Sequence, residues 1–484
     1  MINKMVMDSA KKKKRNISTA WIDYKKAYDS VPHDWIVESL TMHKFDPTIT
    51  NFIKLTMKNW KTSLLLTHLN GQISTEEFSI DTGIFQGDCT SGLLFILCLL
   101  PLSWLLKRSG LGYRINTNDL NVISHLLFMD DLKLYAANDI HLNAMVNIVK
   151  KFSDDIRMAF GFDKCNKLTV KKGKIIQSEP ITMEDDQQIK SLAIDQHYRY
   201  LGFSERLKTD SQTKSTLTKE YFSRIKMILK SELSSKNTID AINSYAVPAL
   251  SYGFSVLDWN ITELEKVDRE TRKVIQSHCL MHRQSDITRL YIPRKNGGRG
   301  LLSIVNQFKN STVNFSVYLC NTNEHLLQAV SNWQHSRGSK SIHNMAQTYC
   351  GELQLDLPDL TLIGKPQRKA QLKNARLIKT TNELKSKNLH GQYYNLLDDA
   401  HIDKTASLKW LTSPSLKRAT EATICVIQEQ AITTNYIQRH IFKMEISDQC
   451  RVCRMEKETI HHVISGCIAL APTKYLQRHD NICK

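Results

Sequence analysis

Three carboxylates have the type and spacing to do chemistry in this chain. In "HLLFMDDLKLYA" (His125 to Ala136), Asp130 and Asp131 stand side by side between two apolar half-segments. Adjacent anions repel unless a cation lies between them. Both flanks read as strands, which predicts a β-hairpin with the acids at its turn. In "AWIDYKKAYDSVPHDWI" (Ala20 to Ile36), Asp23 ends a short apolar strand and Tyr28 follows five residues later. Pro32 and Asp34 suit a turn leading into a helix at Trp35. With Asp23 brought alongside the pair, three carboxylates converge on divalent ions. Mg²⁺ takes oxygen ligands, commonly one or two carboxylates plus substrate phosphates. Two such ions, about 3.5–4 Å apart, clamp an in-line phosphoryl displacement. Taken alone, the Asp pair reads more readily as a solvated turn with two surface acids; the other segments shift that balance.

Two further segments carry ligand-type residues. "TGIFQGDCTSGLLF" (Thr82 to Phe95) puts Gln86, a neutral hydrogen-bonding residue, in a tight turn between Gly83 and Gly87, ahead of an apolar helix. Ser91 and Gly92 at the helix start are small enough for a base or backbone to approach closely. In isolation this reads equally as a plain loop before a core helix. "CRVCRMEKETIHHVISGC" supplies Cys450, Cys453, His462 and Cys467. Two close cysteines followed by a His and a Cys on a helical turn fit one tetrahedral Zn²⁺. His461 competes with His462 as the third ligand.

The elements that must position these groups follow from patterning. The chain has 484 residues, 41% of them hydrophobic, enough for two or more domains with real cores. Residues 17 to about 205 mix strand-like and helix-like segments with Gly turns. Residues 206 to about 285 read mainly as helices, as in "TKEYFSRIKMILKSEL" with apolar positions at helical spacing. "PRKNGGRG" (Pro293 to Gly300) reads as a break, and residues 301–440 are again helical and basic, as in "KPQRKAQLKNARLIK". The last forty residues hold the Cys/His cluster. "LLFILCLLPLSWLL" (Leu93 to Leu106) is short for a membrane span and contains Pro101, so a buried helix is expected.

Charge and cysteine usage narrow the partners. Sixty-six Lys+Arg against 48 Asp+Glu give a formal net charge of +18, which points to a polyanion, nucleic acid first. A membrane surface is the weaker alternative. The start, "MINKMVMDSAKKKKRN", has no apolar core before its basic run, so no secretory signal is read. The run Lys11 to Arg15 suits a nuclear localisation patch, a phosphate contact or a solvated charged segment alike. Of eleven cysteines, seven are scattered and four fall in the last 35 residues. That distribution fits a reducing compartment and a metal site, not a disulfide framework.

"AWIDYKKAYDSVP", "GIFQGDCTSGLLF", "FMDD", "GFDKCNKL" and "YRYLGF" occur in the order of the palm motifs of reverse transcriptases. The chain resembles the polymerase of a non-LTR (LINE-type) retrotransposon, within the group whose polymerase is followed by a Cys/Cys/His/Cys knuckle and a restriction-like endonuclease. The resemblance implies an α+β right-hand palm, an antiparallel sheet with helices, in residues 1–205 with truncated fingers. A helical thumb (206–300), a helical basic region (301–440) and a small zinc knuckle (441–484) would follow. It implies RNA-directed DNA polymerase activity, with an RNA template, a DNA primer and deoxynucleoside triphosphates as partners and no membrane.

Roles are implied position by position. Asp23 and Asp130 would hold two Mg²⁺, with Asp131 supporting. Tyr28 stands where the family has an aromatic gate against the ribose 2′-OH, and Gln86 and Gly87 would line the nucleotide and template pocket. Lys164 falls in the motif whose lysine is proposed to protonate the leaving pyrophosphate, and Lys167 competes for that role. Tyr200, Leu201 and Gly202 would grip the primer end. Cys450, Cys453, His462 and Cys467 would hold one structural Zn²⁺.

The pattern also departs from the family. The first motif begins about twenty residues from Met1, where the family has upstream fingers strands, and the chain ends where the family continues into its nuclease. Cys89, Thr90 and Gly92 replace the usual Ser, Leu and Pro, and the Pro-to-Gly change is expected to loosen the helix start. These departures suggest a fragment, truncated at both ends, that polymerises weakly or not at all. The alternative is a catalytically inactive nucleic-acid-binding remnant of a retroelement. The expected setting is intracellular and reducing, nucleus and cytoplasm.

Overall fold

The structure, a computed structural model, describes residues 1–68, 71–115, 122–205, 207 and 211–483. Position 206, the expected start of the thumb, lies outside the described residues. The chain divides into two compact units, Met1–Thr213 and Lys214–Lys484.

The first unit is built on the strand Ile17–Ile22, whose six residues are all buried. It pairs antiparallel with Asn166–Lys171 on one side and with Asp131–Ala136 on the other. Asp131–Ala136 turns back on His125–Phe128, which forms one edge of the seven-stranded sheet. Alternation sorts the side chains. Ala20, Ile22, Leu132, Leu134 and Ala136 enter one core, with Phe95, Cys98, Leu102, Leu142, Val146 and Val149 from the helices Ser91–Arg108 and Asp139–Asp155. The opposite face carries Trp21, Lys133 and Tyr135, also buried. The expected α+β sheet-with-helices architecture is therefore what these residues form.

The helix Ser91–Arg108 differs from the buried helix expected for Leu93–Leu106. Phe95, Cys98, Leu99, Leu102 and Leu106 are buried, but Leu93, Ile96, Leu100, Trp104 and Leu105 are exposed. The run is apolar all round, yet the sheet covers only one side of it. Pro101 cannot donate to the carbonyl of Leu97. Ser39 Oγ donates to that carbonyl instead at 2.7 Å, and Trp35 Nε1 donates to the next, Cys98 O, at 3.1 Å. The helix thus passes through the proline with its freed carbonyl satisfied.

The second unit is helical. Its helix Ile304–Cys320 starts on Asp268, whose carboxylate accepts from Ser303 Oγ at 2.7 Å and Ile304 N at 2.9 Å. The glycine-rich basic segment Pro293–Gly300, read as a break, lies between the helices Ile287–Tyr291 and Ile304–Cys320, with Lys295 exposed and its two arginines turned inward. Arg294 and Arg299 are buried and flank the buried Glu421 at 2.8 and 2.6 Å. Burial alone would raise the Glu421 carboxyl, but Arg299 and Arg294 hold it below its ordinary value. The partner acid is over a hundred residues away, so nothing local marks Arg294 and Arg299 as interior.

Candidate active site and metal centre

The register of the sheet assembles the acids. Ile22 lies opposite Leu132, so Asp23, one residue past the strand, arrives beside Asp131. Met129 and Asp130 form the two-residue turn between the paired residues Phe128 and Asp131. Met129 takes φ 54°, unusual for a side chain of its size. Tyr28 Oη contacts its sulfur at 3.6 Å. On the same edge strand, His125 Nε2 meets Ser103 Oγ at 2.8 Å, and burial lowers that imidazole to about 4, so it is neutral near pH 7. Burial, then repulsion from Asp130 and Asp23, raises the Asp131 carboxyl above its ordinary range. Three carboxylates thus share one end of the sheet.

Asp23 meets two tests of a cation ligand. Its Oδ2 is buried and faces the exposed Lys164 ammonium at 3.3 Å. Gly161 N donates to Asp23 O at 2.7 Å, and a Cβ on Gly161 would stand 2.8 Å from Asp23 Oδ2. Only a residue without a side chain leaves that oxygen its space. Cys165 lies beneath: its Sγ accepts from Asp23 N at 3.3 Å, and burial pushes the thiol up to about 11. The two candidate lysines separate. Lys164 Nζ lies 3.3 Å from Asp23 Oδ2 with its side chain 65% exposed, while the Lys167 side chain is 3% exposed and lies 3.7 Å from Asp139. Contact with the Asp23 carboxylate and its charge hold the Lys164 ammonium above its ordinary value.

The Tyr28 turn and the Gly83–Gly87 loop are tied together. Gly83 N donates to Val31 O and Ile84 N to Tyr28 O, both at 2.8 Å. The Tyr28 ring stacks on Phe95 at 4.4 Å. Gln86 and Gly87 stay exposed. Asp88 Oδ1 accepts from Thr90 N and Thr90 Oγ1, both at 2.7 Å, closing a turn just ahead of the helix. The helix therefore begins at Ser91 despite Gly92.

Leu201 and Gly202, at φ 46° and 77°, make the tight turn of a hairpin between Tyr198–Tyr200 and Phe203–Glu205. Positive φ at both central positions matches the strand twist, and glycine takes the second without cost. Tyr200 Oη donates to Asp131 O at 3.3 Å, so this hairpin touches the acid strand directly. Its anchor went unnoticed in the sequence. Lys133 is fully buried and donates to Glu205 Oε2 at 2.5 Å and Asn3 Oδ1 at 2.8 Å. Its ammonium lies 4.5 Å over the Trp21 ring, which stacks on Tyr198 at 4.6 Å. The available signal was a lysine at an inward position of "DLKLYA", between residues that alternate into a core.

Residues 2–204 match the family model described as reverse transcriptase (RNA-dependent DNA polymerase). That stretch is similar to reverse transcriptase domains. Its curated relatives are of the non-LTR retrotransposon kind. A Pol polyprotein of the type-2 retrotransposable element R2DM from Drosophila melanogaster is 23% identical over 306 residues, 62% of this chain and 28% of that protein. One from the type-1 element R2 of Nasonia vitripennis is 23% identical over 302 residues, 61% of this chain and 28% of that protein. The chain thus spans under a third of the length of these relatives. Apo telomerase from Candida Tropicalis aligns over 69% of this chain and 55% of that chain at 14% identity, with a TM-score of 0.32, too loose a likeness to argue from.

Beyond that stretch, Cys450, Cys453, His462 and Cys467 present ligand atoms all within 4.8 Å of one another. Cys450 Sγ and Cys467 Sγ are 4.0 Å apart, and Cys453 Sγ and His462 Nε2 are 3.3 Å apart. A tetrahedral Zn²⁺ site with ordinary bond lengths has edges of roughly 3.6–3.8 Å, so the spacing fits. Backbone N–H groups of Met455 and Glu456 lower the Cys453 thiol to about 6, favouring the thiolate a metal needs. His462 Nδ1 lies 3.1 Å from Glu456 Oε2, the outer carboxylate that commonly orients a metal-bound imidazole. His461 is exposed and outside the cluster.

Proposed function

We propose that this chain is an RNA-directed DNA polymerase that extends a primer 3′-OH with deoxynucleoside triphosphates on an RNA template. The observation that carries the reading is the convergence of Asp23, Asp130 and Asp131, with Asp23 Oδ2 buried beside the exposed Lys164 ammonium. Asp23 and Asp130, with Asp131 supporting, would hold two Mg²⁺, whose chemistry is to acidify the attacking hydroxyl and neutralise the leaving pyrophosphate. The protein's own groups do the rest. Tyr28, braced on Phe95, crowds the sugar edge and selects against a 2′-OH. Gln86 and Gly87, on the loop tied to Tyr28, line the nucleotide and template. Lys164 is exposed and protonated beside Asp23, so it can give a proton to the departing pyrophosphate as the bond to the α-phosphorus breaks; the buried position of Lys167 argues against that role for it. Tyr200, Leu201 and Gly202 hold the primer end next to the acid strand.

The helices within residues 206–300 act as a thumb on the duplex, and Cys450, Cys453, His462 and Cys467 bind one structural Zn²⁺. Nucleus and cytoplasm complete the reading, supported by eleven cysteines all free of disulfides. Primer extension on an RNA template with Mg²⁺ tests it. Metal-dependent incorporation that disappears with Asp130→Ala is expected. Nucleic-acid binding without any metal-dependent incorporation would leave the inactive-remnant reading instead.

A further inference from the structure

The second unit contains a groove of about 940 Å³ along the helices Ile304–Cys320 and Lys365–Lys385. Its walls repeat at helical spacing. Asn306, Asn310 and Asn314 recur every four residues on one helix, and Lys365, Lys369 and Lys373 recur every four on the other. Arg368 and Arg376 complete five cations in the lining, which contains no Asp or Glu. The three lysines are exposed.

The asparagines reinforce this one-sided chemistry. Arg376 donates to Asn306 Oδ1 and, at 3.1 Å, to Asn310 Oδ1, and Arg368 Nε donates to Asn314 Oδ1 at 3.0 Å. With their oxygens engaged, Asn306 and Asn310 have NH₂ groups left to offer. The polar side chains of the groove are thus weighted to donors and positive charge. An aromatic pair, Phe315 stacked with the exposed Tyr318, adds a flat apolar surface.

We propose that this groove binds the sugar–phosphate backbone of a single-stranded nucleic acid. Donor-rich, acid-free walls recognise phosphate oxygens. Lys365 to Lys373 covers about 12 Å of helix, more than one small anion can touch but a natural reach for successive phosphates. Aromatic faces in a basic groove are the usual platform for unpaired bases. The volume is that of a ligand pocket. The site lies in the second unit and does not depend on the polymerase reading.

Photocrosslinking of the full chain tests the proposal, using a ten-nucleotide RNA carrying 4-thiouridine and its DNA counterpart carrying 4-thiothymidine. Peptides from 304–320 and 365–385 should be labelled by one strand or both, and the relative yield tells RNA from DNA. In the Lys369→Glu/Lys373→Glu variant that labelling should disappear while labelling of residues 1–213 and the melting temperature persist. With both lysines changed to alanine, the slope of log affinity against log salt for these peptides' labelling should fall by roughly 1.4, about 0.7 per lost phosphate contact. Absence of crosslinks in these two helices overturns the proposal, as does labelling that the charge reversal leaves intact. Competition by poly-glutamate as strong as by unlabelled strand would point to an acidic peptide and overturn it equally.

Discussion

Gly161→Ala isolates the geometry of Asp23 from the stability of the fold. The new Cβ would stand 2.8 Å from Asp23 Oδ2, about 0.6 Å inside ordinary contact, and 3.5 Å from Asp23 O, which is acceptable. The backbone at 161 is outside the left-handed region, so alanine fits its conformation. The Gly161 N–H bond to Asp23 O and the bonds from Lys164 N and Cys165 N to Gly161 O survive the change. Relief therefore comes from the carboxylate, the free end of a flexible side chain. Misplacing a reacting group by about 1 Å costs on the order of 10²-fold, so a shift of about 0.6 Å should cost on the order of tenfold. Single-nucleotide incorporation across a Mg²⁺ titration should show a higher Mg²⁺ midpoint and about tenfold lower maximal rate, with melting unchanged within 2–3 °C, the shift about 1 kcal/mol gives in a chain this large. If the untreated chain incorporates too slowly to measure, the Mg²⁺ dependence of Mn²⁺ displacement reports the same site. Wild-type Mg²⁺ response and rate in Gly161→Ala would refute the assignment of Asp23 as a cation ligand.

Asp131 predicts a pH effect. Its carboxyl is raised by burial and by Asp130 and Asp23, so above the ordinary carboxylate value the folded chain keeps a proton that the unfolded chain has released. Stability should then fall as pH rises from that value toward the raised one. Mg²⁺ or Asp131→Asn should flatten the decline in chemical denaturation measured without other divalent ions; an unchanged slope in the variant would contradict it. For the hairpin anchor, Lys133→Met leaves Glu205 without its buried cation and should cost about 3–5 kcal/mol, with Lys133→Met/Glu205→Gln losing less than the sum of the two single changes. Strict additivity in denaturant melts would show that the pair is not coupled. For the cysteine cluster, His462→Ala should lose one equivalent of Zn²⁺ by metal analysis while His461→Ala keeps it. Equal loss in both, or none in either, would sink that ligand set.

Much of the local geometry was legible because it depends on near neighbours. The apolar run ending at Asp23 reads as a strand, and the paired half-segments around Asp130–Asp131 read as a hairpin; the strands Ile17–Ile22, His125–Phe128 and Asp131–Ala136 are where those patterns put them. The close spacing of Cys450 and Cys453, with His462 and Cys467 behind, marked out the cluster by itself. Patterning could not say that one side of the helix Ser91–Arg108 would stay exposed, since an all-apolar run has no preferred face and the sheet covers only one.

The sequence by itself determined which chemistry was available: acids at strand ends, a thiol cluster and a surplus of positive charge. Tertiary structure decided which of two neighbours takes part. Strand register carries Lys164 to Asp23 but turns Lys167 inward to Asp139, and the turn through 461–462 directs only His462 into the cluster. Long-range charge pairing likewise put Arg294 and Arg299 inside, against Glu421, and Lys133 beneath the sheet, against Glu205. The physical reason is common to these three charge pairs. A buried charge is tolerable only beside its counter-charge, and in each pair the two are separated by too much chain for any local pattern to reveal them.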